Sequence, residues 1–230
     1  MSESFKRFEK KYLLDNRQYS LIKDFIKDYV VDDVYKEYNL MSIYYDNDNY
    51  ELIRRSIEKP KYKEKLRIRA YNPPNKDDYI QVELKKKFDG IVYKRRTQGQ
   101  YEDVLNNIYT CEFKDLQVGK EINYFLDYYG QLKPKIYIAC KRRSYKGKED
   151  ESLRITFDEN MTYRFKNICL KEDRENDKPI NDGVIMEIKV NESMPLWLTK
   201  ILDEAKAYPK SFSKVGNAYL KEMENNNGII

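Results

Sequence analysis

Lysine and arginine recur at every second position in several short runs of this 230-residue sequence. Side chains two apart on a β-strand share a face. Lys65, Arg67 and Arg69 would therefore stand together, with Leu66, Ile68 and Ala70 behind them. By the same alternation Glu83, Lys85 and Lys87 share a face, as do Lys94 and Arg96. Arg142 falls with Cys140, Arg154 with Thr156 and Asp158, Glu187 with Lys189, and Glu9 with Lys11. One such face alone reads well as the solvated side of an amphipathic sheet. The set reads differently, because solvated faces mix Thr, Ser and Gln with charges, and these are almost wholly Lys, Arg and Glu. Cations opposite one another on neighbouring strands repel. Gathering them on one sheet is destabilising unless a polyanion or interleaved carboxylates neutralise them. The chemistry this inventory suits is phosphoryl transfer, whose transition state needs charge stabilisation and in-line positioning more than proton transfer.

What is missing narrows the field. The chain has no histidine, so imidazole bases, Ser-His-Asp triads and HExxH metal sites are excluded. Its three cysteines, Cys111, Cys140 and Cys169, form no CxxC pair and fit a reducing compartment. Eight glycines yield neither GxGxxG nor GxxxxGK[ST], which argues against a glycine-rich nucleotide loop. Charged residues make up 36% of the chain, yet 44 Lys+Arg against 39 Asp+Glu leave a net charge of only +5. With 40% hydrophobic and 14% aromatic residues, a folded core is expected rather than a disordered polyelectrolyte. No apolar run reaches the roughly 20 residues of a membrane helix, and the first residues lack the apolar core of a signal peptide. The expectation is a soluble, cytoplasmic protein with no membrane span of its own.

The elements that must position these residues follow from periodicity. Strands are expected at Phe5–Leu14, Leu40–Asp46, Tyr62–Tyr71, Lys135–Arg143, Leu153–Asp158, Met161–Phe165 and Val184–Val190, with a hairpin of Tyr79–Phe88 and Ile91–Arg96 around Asp89-Gly90. Asp15 or Asn16 can cap a helix whose apolar side is Leu21, Ile22, Phe25, Ile26 and Tyr29. Further helices are expected at Tyr50–Lys59, Gln98–Ile108, Lys120–Gln131 and Pro195–Ala207, with a last one capped by Ser213. Lys171–Asp182 reads as a charged loop. No linker or repeat divides the chain. The reading is a single domain over 1–224 with a frayed tail at 225–230, of α+β class, built on a largely antiparallel sheet or β-barrel; if the sheet closes, helices pack outside and the charges line an interior.

These residues resemble a known family. Phe8-Glu9-Lys10-Lys11-Tyr12, Tyr44-Tyr45-Asp46-Asn47, Lys65-Leu66-Arg67-Ile68-Arg69 and Val82-Glu83-Leu84-Lys85 are similar to the VTC domain, the polyphosphate polymerase domain of the vacuolar transporter chaperone complex. The resemblance continues in order through Lys94-Arg95-Arg96, Arg142-Arg143, Leu153–Asp158, Met186-Glu187-Ile188-Lys189 and Ser211-Phe212-Ser213-Lys214. It implies membership of the triphosphate tunnel metalloenzymes and transfer of the γ-phosphate of ATP onto inorganic polyphosphate, with Mn or Mg as cofactor. Lys11 then matches the lysine of the first strand, Arg67 and Arg69 the pair that grips triphosphate oxygens, and Lys85, Lys94, Arg142 and Arg154 further basic positions. Glu187 matches the carboxylate associated with metal, with Glu9 or Glu83 as a second candidate. Ser213 and Lys214 match a phosphate-binding pair. Lys65, Lys87, Arg96 and Lys189 join the expected substrate-binding set through their shared faces. Two departures stand out: Ser211 lies where relatives often carry a lysine, with Lys210 beside it, and Cys140 lies where they often carry tyrosine.

The resemblance implies ATP and polyphosphate as partners, and allows docking on a separate membrane protein. Hydrolysis of tripolyphosphate or a nucleoside triphosphate by the same fold stays open, as does a non-catalytic polyphosphate-binding module. Nucleic acid is disfavoured, although 22 tyrosines among basic residues could stack bases.

Overall fold

The computed structural model describes residues 8–58, 60–89, 91–171, 173 and 175–227. Phe5–Arg7 of the expected first strand, Lys59 at a helix end, Gly90 of the expected turn and 228–230 of the expected tail lie outside them. The strands are β1 (Phe8–Leu14), β2 (Val30–Asp46), β3 (Tyr62–Ala70), β4 (Tyr79–Phe88), β5 (Ile91–Gln100), β6 (Lys133–Gly147), β7 (Arg154–Arg164), β8 (Lys178–Pro179) and β9 (Val184–Val190). The helices are α1 (Asn16–Phe25), α2 (Glu51–Glu58), α3 (Tyr101–Asn107), α4 (Leu116–Tyr129), α5 (Leu196–Glu204) and α6 (Lys214–Asn227). Among the described residues the strands form one antiparallel nine-stranded sheet in the order β1-β9-β7-β6-β2-β3-β4-β5, with β8 attached to β7. The expected α+β class holds, and the expected barrel is a sheet whose path ends at β1 and β5.

The chain divides into two compact units, and three of the five divisions fall inside β2, β6 and β7. The first draws on Met1–Asn39, Cys140–Met161 and Asn181–Phe212. Its core joins Tyr12 and Leu14 of β1 to Met186, Ile188 and Val190 of β9 and to Ile155 and Phe157 of β7. Ile22 of α1 and Leu198, Ile201 and Leu202 of α5 close over them. Each such fully buried side chain contributes roughly 1.5–3 kcal/mol. Asp15 starts α1 through a capping box: its carboxylate accepts from the Gln18 N–H at 2.7 Å, and the Gln18 side chain accepts from the Asp15 N–H at 3.0 Å.

The second unit draws on Leu40–Ala139, Thr162–Ile180 and Ser213–Ile230. Leu66 and Ile68 of β3 and Val82 and Leu84 of β4 pack under Ile122, Phe125 and Leu126 of α4, all but inaccessible to solvent. In both units every second residue of these strands goes to the core. The residues between them are held on the opposite face, and that is where the expected site residues stand.

Several elements differ from the sequence reading: α4 begins at Leu116 rather than Lys120, β6 runs Lys133–Gly147 rather than Lys135–Arg143, and four further differences have a visible cause or consequence. β2 begins at Val30, ten residues early, because ion pairs hold a charged segment without alternation: Glu37 meets Lys141 at 2.6 Å and Arg143 at 2.8 Å. β5 runs to Gln100 and shortens the expected helix, since Gln98 and Gly99 stand opposite Gln81 and Ile80 of β4. The expected strands 153–158 and 161–165 are one strand, β7, with Asn160 inside it at φ 49°. The expected loop 171–182 carries the two-residue β8.

Candidate active site

In the second unit, register turns alternation into rows. Lys65 stands opposite Lys85, and Lys85 opposite Lys94. One row along, Arg67, Glu83 and Arg96 stand side by side. Glu83 is wholly buried, and its carboxylate draws in cations from the two strands that flank it, β3 and β5. Arg67 approaches it at 2.6 Å, Lys94 at 2.7 Å, Arg96 at 3.3 Å and Arg69 at 3.8 Å. Burial alone would raise its pKa, but Arg67, Arg69 and Lys94 bring it down to about 2. Lys94 is pushed the other way by burial, to about 8 against the pull of Glu83. Lys65 also falls to about 8, through burial and then the neighbouring Lys85, Lys63 and Arg67. One carboxylate serves four cations here, and the lysine row has no acidic member.

Two residues of this face were missed by sequence reasoning. Ser42 and Tyr44 of β2 stand opposite Arg69 and Arg67. Tyr44 Oη accepts from Arg67 Nη1 at 3.0 Å, and Ser42 Oγ from Arg69 Nε at 3.4 Å. Burial raises the phenol pKa, but Arg67, Lys65 and Arg69 outweigh it and set the value at about 7. The alternation of Ser42 and Tyr44 with Met41, Ile43 and Tyr45 would have placed both on this face. Ser213, just ahead of α6, accepts from Lys65 Nζ at 3.1 Å and from the Gly216 N–H at 3.3 Å. Lys214 opens α6, and Lys87 lies beyond Lys85 on β4.

In the first unit a second charged face forms. Lys11 of β1 stands opposite Glu187 of β9, which stands opposite Thr156 of β7; Glu9, Lys189 and Arg154 make the adjoining row. Glu187 meets Lys189 at 2.6 Å and Lys11 at 3.7 Å, and Lys11 meets Glu9 at 3.3 Å. Burial works against Glu187 ionising, but Lys189 and Lys11 bring its pKa to about 2. Arg142 is forked onto Asp158 at 2.5 and 2.7 Å, a bidentate pair that the sequence reading did not assign. Arg154 is turned toward Asp33, at 3.5 Å, and donates to the Glu151 carbonyl at 3.0 Å. Of the departures from the family pattern, Lys210 and Ser211 are exposed, with the Lys210 N–H donating to the Lys11 carbonyl at 2.7 Å, and Cys140 is buried.

Three carboxylates were candidates for a divalent ion, and the structure separates them. Among the described residues no three His, Cys, Asp or Glu side chains converge. Glu83 already sits among four cations and leaves no place for a fifth. Glu9 and Glu187 both approach one cation, Lys11 Nζ, so two carboxylates already converge on a positive charge. Beside them Thr156 Oγ1 is buried and has no hydrogen-bond partner among the described residues. One or two carboxylates completed by substrate phosphates and water are what Mg²⁺ or Mn²⁺ takes, so this group fits such an ion and Glu83 does not.

The VTC domain family profile matches residues 6–222. Among solved structures, the fold is similar to that of a candidate adenylate cyclase from Bacillus halodurans, at 14% identity and a TM-score of 0.55, over 89% of this chain and 92% of that one. A protein from Pyrococcus horikoshii aligns at 14% identity and a TM-score of 0.48, over 94% of this chain and 99% of that one. The first likeness bears on the fold alone. No curated protein sequence matches the chain.

Proposed function

The chain belongs to the VTC domain family, and on that premise we propose that it is a polyphosphate polymerase, transferring the γ-phosphate of ATP to the end of a growing polyphosphate chain. The observation that supports this most is the row of Lys65, Lys85 and Lys94 beside the Arg67–Glu83–Arg96 row. Like charges facing one another across strands destabilise a sheet, and a polyanion laid along the rows removes that cost. Arg67 and Arg69 can fork onto phosphate oxygens, while the lysines act as point charges. Lys11, Arg142, Arg154 and Lys189 carry the same chemistry on the charged face of the first unit, and Ser213 with Lys214 would add to that of the second from the start of α6. The acceptor is a terminal phosphate that is already anionic, so no base is required, which suits a chain without histidine. A divalent ion held by Glu187 and Glu9 would supply neutralisation of phosphate charge on the first unit's face. We take residues 1–224 as the functional domain, acting in the cytoplasm and docked on a separate membrane protein. No helix among the described residues is long and apolar enough to cross a membrane.

Hydrolysis is the second reading, and Tyr44 is what favours it. A phenol titrating at about 7 on the basic face could accept a proton from an attacking water. Product analysis separates the two. Incubated with ATP and Mn²⁺ or Mg²⁺, the protein should yield ADP and an acid-labile phosphate polymer. Orthophosphate without polymer would transfer the assignment to the hydrolase, and no turnover at all would leave a binding module.

A further inference from the structure

The basic face of the second unit changes character along its strands. After the row of Lys65, Lys85 and Lys94 and the row of Arg67, Glu83 and Arg96 comes a third, of Arg69, Gln81 and Gln98. Beyond it Tyr79 stands opposite Gln100, with Tyr71 just past the end of β3. Charge is thus replaced first by amides and then by aromatic rings. From Glu83 to Tyr79 is four residues, roughly 13 Å of strand. At that end lies a cavity of about 350 Å³, whose lining includes Arg69, Tyr71, Asp78, Tyr79, Gln81 and Gln98. Its volume falls within the usual range for small-ligand sites.

We infer that this cavity is the nucleoside subsite of the phosphate donor, receiving base and ribose while Arg69 and Arg67 receive the triphosphate. The inference rests on the triphosphate reading above and adds where the neutral half of the molecule goes. A nucleoside triphosphate has the same polarity as the sheet face: a polyanion at one end, and at the other a flat aromatic base rich in donors and acceptors. Tyr71 and Tyr79 are 42% and 52% exposed, so their rings can offer area to a base. The Lys114 ammonium lies 3.6 Å from the Tyr79 ring centroid, which orients that ring. Gln81 and Gln98 each bring a donor and an acceptor, which is what reading a base edge requires. Asp78 adds a carboxylate that can accept from ribose hydroxyls and that repels phosphate from this end. Inorganic polyphosphate would use the cationic rows and leave the cavity untouched.

Calorimetric titration of ATP and of sodium tripolyphosphate into the same protein tests this. Tyr79→Ala should weaken ATP roughly 5- to 100-fold, the range of one lost base–aromatic stack, and leave tripolyphosphate within about twofold. Tyr71→Ala should shift the two ligands in the same unequal way, and it carries the test if the first variant does not fold. If both ligands bind and neither variant separates them, the subsite is wrong while the triphosphate reading stands. Binding of tripolyphosphate without any binding of ATP overturns the subsite equally. If tripolyphosphate itself does not bind, the underlying reading fails and takes this one with it.

Discussion

Glu83 concentrates the chemistry of this chain in one residue. It is the buried counter-ion for Arg67, Arg69, Lys94 and Arg96, and removing its charge leaves four cations facing one another. Glu83→Gln should therefore cost about 3–5 kcal/mol of stability, the range for breaking a buried ion pair from one side. Tripolyphosphate should raise the melting temperature of the variant more than that of the wild type, because the ligand then replaces the lost counter-ion. A variant that melts with the wild type would mean the cluster is solvated and its charges independent. Lys65 and Lys94, both held near 8, and Tyr44, near 7, make the face most cationic below pH 7. As pH rises through 7 to 8 the phenol gains negative charge and the lysines lose positive charge, so polyanion affinity should fall. Binding between pH 7 and 9 should also take up protons, since the anion restores them to the lysines. Titration in buffers of different ionisation enthalpy measures that uptake; heats independent of buffer would refute the coupling.

At the scale of elements, alternation made β1, β3, β4 and β9 legible, because each buries one face and register forbids a slip of one residue. The same rule placed Lys65, Arg67, Arg69, Glu83, Lys85, Lys94, Arg96, Glu187 and Lys189 on faces turned from the core. It failed for the first half of β2, where Asp32, Asp33, Lys36 and Glu37 give no alternation and partners far along the chain hold the strand. Register between distant strands was out of reach: nothing local says that Glu187 stands between Lys11 and Thr156, whereas the hairpin expected at Asp89-Gly90 already sets Glu83 opposite Arg96. Pairing partners decide which cations each carboxylate meets. The β1–β9 pairing predicts a split response for Glu187→Gln: metal-dependent turnover should fall steeply, while metal-free tripolyphosphate binding holds or strengthens as a repulsive charge disappears. Turnover with unchanged metal dependence would shift the role to Glu9.

Across the whole molecule, 44 basic and 39 acidic side chains nearly cancel, so affinity for a polyanion cannot come from net charge. It has to come from sorting, with cations gathered on sheet faces and few carboxylates among them. Affinity should then reside in particular arginines. Arg67 is the most informative of these, holding Glu83 at 2.6 Å and Tyr44 at 3.0 Å while facing the row of lysines. The direct measurement is a calorimetric titration of tripolyphosphate into the wild-type protein and into Arg67→Ala, without metal, at pH 7. The sorted-face account predicts one binding event per chain in the wild type, weakened in the variant by roughly 2–5 kcal/mol, the usual effect of removing one partner of a buried charge pair. Equal affinity in the two proteins would contradict it, leaving the rows of lysine and arginine as the solvated side of an ordinary sheet.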